Sequence, residues 1–169
     1  DWQSLSSLGV VLRDLRRYDE AVQAYRQALA IRPNEPEVLG NLGVAYRNMR
    51  RYPEAVSTLQ QALLASPNDA NLHFNLAVAY RGQQQREPAI REYREALRIN
   101  PRLTAALFDL GLMLQQSGQD AEAIATFEQY LSATGDADAE GAAEARARLQ
   151  ALREAATRAP AKAPPVAPP

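Results

Sequence analysis

Moved along by 34 residues, this chain falls back into register with itself. Leu39, Leu42, Gly43 and Tyr46 precede Ala55, Ala62 and Pro67. One period earlier stand Leu5, Leu8, Gly9 and Leu12, then Ala21, Ala28 and Pro33. One period later stand His73, Leu76, Ala77 and Tyr80, then Ala89, Ala96 and Pro101, and a further period brings Leu107, Leu110, Gly111 and Leu114 with Ala123 and Phe127. Such self-similarity excludes a conventional globular core. Each unit has an apolar face that it cannot bury alone, so neighbouring units must stack to cover it.

With the repeats started at Trp2, Pro36, Ala70 and Thr104, positions 4, 7, 8 and 11 fall on one side of a helix. This predicts a first helix, A, in each repeat, with Gly9, Gly43, Ala77 and Gly111 admitting a second helix to close range. Helix B follows from about position 18 to 31. In the first repeat its apolar stripe is Ala21, Val22, Tyr25, Ala28 and Leu29; in the third it is Ala89, Ile90, Tyr93, Ala96 and Leu97. Pro53 and Pro88 stand in its first turn, where a missing N–H is harmless, and Asp19 suits the same end electrostatically. Pro33, Pro67 and Pro101 end it by pushing the preceding residue out of helical geometry. The fourth repeat has Gly135 where the others have Pro, followed by a loop. A further helix from about Ala139 to Arg158 aligns Ala142, Ala145, Leu149 and Leu152, with Glu144, Arg146, Arg148, Arg153 and Glu154 elsewhere, the pattern of a terminal cap. The expected organisation is repeats 2–35, 36–69, 70–103 and 104–137, a capping helix at 138–158 and a Pro/Ala-rich disordered tail at 159–169. Nine helices and no strand are predicted.

Several function classes drop out. The net charge of −1 gives no electrostatic footprint for nucleic acid or a membrane surface. No apolar run is long enough to span a bilayer, so no membrane insertion is expected. There is no Cys, hence no disulfide, thiolate nucleophile or thiolate metal site, and His73 is the sole histidine. No glycine-rich phosphate loop or dinucleotide fingerprint occurs, and the carboxylates are spread over solvent faces without an acid/base pair. The chain reads as non-enzymatic, with no cofactor and no metal. It starts at Asp1 inside a repeat, so upstream residues are expected to have been removed; the compartment is open, cytoplasmic or exported with the signal removed. His73 occupies a packing position and is expected to be structural.

With these residues quoted, the chain resembles the tetratricopeptide repeat (TPR) family, whose signature has the same period. The resemblance runs from Trp2 to Ala137, and the helix after it is similar to the family's capping helix. Position 4, often Trp in the family, is Leu5, Leu39, His73 and Leu107 here, while position 11, often Tyr, is Leu12 and Leu114 in the outer repeats. The resemblance implies an all-α, right-handed superhelical solenoid of four helix pairs plus the cap. It implies that the A helices line a concave groove, and that the activity is binding of a peptide or partner protein.

The groove face, opposite the packing face, is centred on position 9, which holds Val10, Val44, Val78 and Leu112. Such a spine is either a pocket for apolar ligand side chains or ordinary core shared by neighbouring A helices. Phe74 and Phe108 at position 5 are expected to stand exposed beside it as anchors. Position 6 is Ser7, Asn41, Asn75 and Asp109. An amide both donates and accepts, so Asn41 and Asn75 are candidates to hold a ligand backbone, as in the asparagine ladder of peptide-binding TPR arrays. Position 12 is Arg13, Arg47, Arg81 and Gln115, a basic track that would favour acidic ligand groups unless local partners such as Asp14 occupy it. The family's carboxylate clamp is not matched: Ser6, Val10 and Asn71 stand in its places, and only Asn41 agrees. The expected function is an adaptor or scaffold with a peptide in its groove. The alternatives are self-association through the array ends, giving a homo-oligomer, and an accessory domain of a longer enzyme.

Overall fold

The computed structural model describes residues 1–135 and 138–158. Among them nine α-helices follow one another without a strand: α1 Trp2–Asp14, α2 Tyr18–Ile31, α3 Pro36–Asn48, α4 Tyr52–Ala65, α5 Ala70–Gly82, α6 Arg86–Ile99, α7 Thr104–Gln116, α8 Asp120–Thr134 and α9 Ala139–Arg158. The end of the fourth repeat at 137 and the tail at 159–169 lie outside the described residues. The chain divides into two compact units, Asp1–Ala106 and a second that starts at Leu107.

In the first unit α1/α2, α3/α4 and α5/α6 form helical hairpins, α2 packs on α3, and α4 packs on α5. The hairpin bend is built in the same way in all four repeats. Arg17, Arg51, Gln85 and Gln119 donate backbone N–H groups to the carbonyls of Leu12, Tyr46, Tyr80 and Leu114 at 2.8–3.0 Å. The residue before each donor takes a left-handed conformation: Arg16, Arg50 and Gln84 with φ near 60°, and Gly118 with φ 70°. Helix B stops where proline dictates. Arg32, Ser66 and Asn100, each preceding a proline, leave the helical region with φ between −128° and −133°. Without that proline, α8 ends at Gly135, with φ 57°.

The small residue at position 8 faces the residue at position 24 of its own helix B. A Cβ on Gly43 would lie 2.5 Å from Leu59 Cγ, and one on Gly111 would lie 2.7 Å from Phe127 Cε1. Leu59 and Phe127 are fully buried, so they have nowhere to retreat.

The buried side of helix A is wider than the sequence pattern suggests. Val38 and Ala45 on α3 and Leu72 and Ala79 on α5 are buried as well. The reason is that α3 and α5 are each wedged between the B helix of their own repeat and that of the repeat before. Among the described residues no helix precedes α1, and its outer stripe stays open: Leu8 is 49%, Val11 55% and Leu15 62% exposed. Leu8, expected on the packing face, is therefore largely in solvent.

In the second unit α9 packs on α8, burying the expected stripe of Ala142, Ala145, Leu149 and Leu152. Tyr130 Oη donates to Asp138 Oδ2 at 2.7 Å, and Asp138 Oδ1 accepts from the Gly141 N–H at 2.9 Å, so the start of α9 is tied to α8.

Candidate functional site

In the first unit α1 touches α3, and α3 touches α5; positions 12 and 6 meet across these pairs, and positions 5, 6 and 9 of α3 line a cleft beside them. Val10, Val44 and Val78 are half-buried, as is Leu112 in the second unit. The spine is thus neither fully exposed nor fully buried.

The cleft lies between α3 and α5 and has a volume of about 410 Å³. Gly40, Asn41 and Val44 line it from α3; Asn71, Leu72 and Asn75 line it from α5; Glu37 and Asp69 bring carboxylates to it. Glycine at position 40 matters because Leu72 of the next repeat presses on it: a Cβ there would meet Leu72 Cδ2 at 2.7 Å. Asp69 is partly committed, since its Oδ1 accepts the N–H groups of Asn71 and Leu72 and caps α5.

The arginine track and the asparagine ladder prove to be one system. Arg13 Nη1 donates to Asn41 Oδ1 at 3.0 Å, and Arg47 Nη1 donates to Asn75 Oδ1 at 2.7 Å, each link spanning 28 residues. The same arginines reach their sequence neighbours: Arg13 Nε and Nη2 donate to Asp14 Oδ1, and Arg47 Nη2 lies 3.4 Å from Asn48 Oδ1. Arg81 is half-buried. The inter-repeat links went unpredicted, although the offset follows from the register: position 12 of one repeat precedes position 6 of the next by that spacing.

The two phenylalanines are half-buried and stack on their own repeats' B helices, where exposed rings were expected. The Phe74 ring centroid lies 6.0 Å from that of Tyr93. In the second unit the Phe108 ring lies 6.2 Å from that of Phe127 and 5.2 Å from that of Tyr130. Each ring stays partly exposed while gaining an aromatic neighbour.

Other polar side chains serve the scaffold. His73 Nδ1 lies 2.7 Å from Glu92 Oε2 and its Nε2 lies 3.0 Å from the Pro67 carbonyl oxygen, joining α5 to α6 and to the preceding turn. The Tyr46 and Tyr80 hydroxyls accept from Arg26 and Gln60 of the preceding B helices at 2.8 and 2.9 Å. The Tyr25 hydroxyl is buried without a partner among the described residues, and burial pushes its pKa up to about 12. Among the described residues no helix is long and apolar enough to cross a membrane.

Sequence models of the tetratricopeptide repeat match residues 12–77, 70–103 and 105–133. No curated protein matches the chain. Among solved structures it is similar to MamA (41-end) from Desulfovibrio magneticus RS-1, with 25% identity and a TM-score of 0.75 over 80% of this chain and 78% of that one. It is also similar to a thermophilic TPR protein of Thermus thermophilus, with 26% identity and a TM-score of 0.68 over 94% and 84% of the two chains. A tetratricopeptide repeat protein from Parabacteroides merdae, 22% identical with a TM-score of 0.78 over 91% of this chain and 60% of that one, shares the fold. With matched segments following one another from residue 12 to 133 and the helix–turn–helix unit repeated in register, the chain belongs to the tetratricopeptide repeat family.

Proposed function

We propose that this protein is a non-catalytic adaptor that holds an extended peptide segment of a partner protein against its A helices. The observation that supports this reading is the cleft between α3 and α5, which Asn41 and Asn75 from successive repeats line together with Gly40 and Val44. In this reading Asn41 and Asn75 hold the ligand backbone. Val44, Val78 and Phe74 receive apolar side chains, and Arg47 and Arg81 favour acidic ones. In the second unit Phe108 and Leu112 offer the corresponding apolar surface. Selection of a displayed random-peptide library on the wild-type protein, counter-screened with Asn41→Ala/Asn75→Ala, tests it. Enrichment on the wild type that the double variant loses supports the reading. Equal enrichment on both overturns it.

A second reading is self-association through the open stripe Leu8, Val11 and Leu15. It predicts concentration-dependent sedimentation that Val11→Glu abolishes.

A further inference from the structure

The two asparagines of the cleft are each gripped by a group that can only donate. A guanidinium carries five N–H donors and no acceptor, so an amide bonded to it must turn its oxygen toward it. Arg13 therefore fixes the Asn41 amide, and Arg47 fixes that of Asn75, with Oδ1 pointing at the arginine. What remains to each amide is its Nδ2, with two hydrogens. Among the described residues neither Nδ2 has an acceptor, and both asparagines line the cleft. In the second unit a guanidinium orients an amide in the same way, though at position 12: Arg148 Nη1 of α9 donates to Gln115 Oε1 at 3.1 Å.

From this we infer that Asn41 and Asn75 present donors only to the cleft, and that Arg13 and Arg47 are positioning residues that set this polarity. The inference rests on the groove reading above and sharpens it. An asparagine ladder free to rotate would meet both N–H and C=O groups of a ligand; this one meets oxygens. Its occupant is an extended peptide that lays main-chain carbonyls on Asn41 and Asn75 and brings carboxylate side chains within range of the flanking guanidiniums. The guanidinium also polarises each amide, strengthening its N–H as a donor. Glu37 and Asp69 at the cleft wall oppose an unbroken acidic run, so spaced acidic residues fit better than contiguous ones.

The probe is a blocked octapeptide of alternating Asp and Ala, titrated into ¹⁵N-labelled protein while the side-chain NH₂ pairs of Asn41 and Asn75 are followed. Both pairs are expected to move on binding. The isosteric change Asn41→Asp/Asn75→Asp keeps an acceptor for each arginine, so melting holds, but it replaces the donors with oxygen and should weaken binding about tenfold or more per site. Arg47→Leu should shift the Asn75 NH₂ pair in the free protein and weaken binding, and Arg47→Lys, which restores a cationic donor, should rescue it in part. If the octapeptide moves no resonance of α3 or α5, the groove reading fails and the inference with it. If the wild type binds and the Asp double variant binds equally well, the donor assignment is overturned while the groove reading stands. If Arg47→Leu leaves the Asn75 NH₂ pair in place, the positioning role is overturned.

Discussion

Arg47 of one repeat donates to the amide oxygen of Asn75 in the next at 2.7 Å, and Arg13 bears the same relation to Asn41. Two features that read as separate binding elements along the chain are thereby joined across a repeat interface. The basic track is invested in holding the ladder, and the link contributes to the scaffold as well as to the site. Arg47→Ala should therefore lower stability by about 1.5 kcal/mol, the low end of the range for a hydrogen bond to a charged group, as suits a part-buried site. A urea titration checks this, and an unchanged midpoint would place the guanidinium in solvent.

The close approach of the two helices in each hairpin depends on position 8. Gly43→Val puts atoms where Leu59, fully buried, already sits, with the Cβ itself 2.5 Å from Leu59 Cγ. Overpacking of this kind should destabilise the protein by about 1–3 kcal/mol. An unaltered melting curve would show that α3 and α4 slide apart freely.

Three of the four hairpin bends place a side-chain-bearing residue in the left-handed region, where the fourth has Gly118. Replacing Arg50 or Gln84 with Gly should stabilise the protein by about 0.5–1 kcal/mol, because the Cβ no longer crowds its own carbonyl. Gly118→Ala should shift stability in the opposite direction by a similar amount. Denaturant midpoints of the three variants decide the matter; Arg50→Gly and Gly118→Ala moving in the same direction would contradict the strain argument.

Tyr25 gives the alkaline limb of stability a source. Burial raises its hydroxyl pKa from 10.0 to about 12, so the folded state keeps a proton that the unfolded chain releases. Its contribution is complete below pH 10 and is lost as the pH rises toward 12, by about 2–3 kcal/mol in all. Tyr25→Phe removes both this loss and an unsatisfied buried hydroxyl, and should raise stability near neutrality by about 1 kcal/mol. Chemical denaturation between pH 8 and 12 compares the two proteins, and a steeper alkaline loss in the Phe variant would refute the assignment.

The terminal helix is held mainly by its apolar stripe. Leu149 is 7% exposed, and Leu149→Ala should cost about 2–3 kcal/mol. The exposed ion pair of Arg153 with Glu128 should yield less than about 1 kcal/mol on Arg153→Ala. The Tyr130 hydroxyl and the Gly141 N–H hold the Asp138 carboxyl below its ordinary range. This contribution is present above that range and is lost as acid protonates Asp138 in the folded state, so Tyr130→Phe should flatten the acid limb of a pH–melting profile.

Periodicity alone determined the helices, their hairpin pairing and their ends. Leu, Gly and Ala recurring with the helical repeat create a face that only a neighbouring helix can cover, and Pro33, Pro67 and Pro101 end each B helix through the backbone of the residue before them. The stripe of Ala142, Ala145, Leu149 and Leu152 was legible for the same reason. Tertiary structure decided what Val44, Phe74 and Asn75 each pack against. Whether Val44 is core or pocket, whether Phe74 stands free or leans on Tyr93, and which end of the Asn75 amide is spoken for all depend on residues one helix or one repeat away. The helical wheel records direction within one helix and carries no information on what the next repeat brings to meet it. Leu8 illustrates the limit from the other side. Its spacing matches Leu42 and Leu76, both buried, yet it is 49% exposed, because among the described residues no B helix packs against α1 from the side on which α2 meets α3 and α4 meets α5.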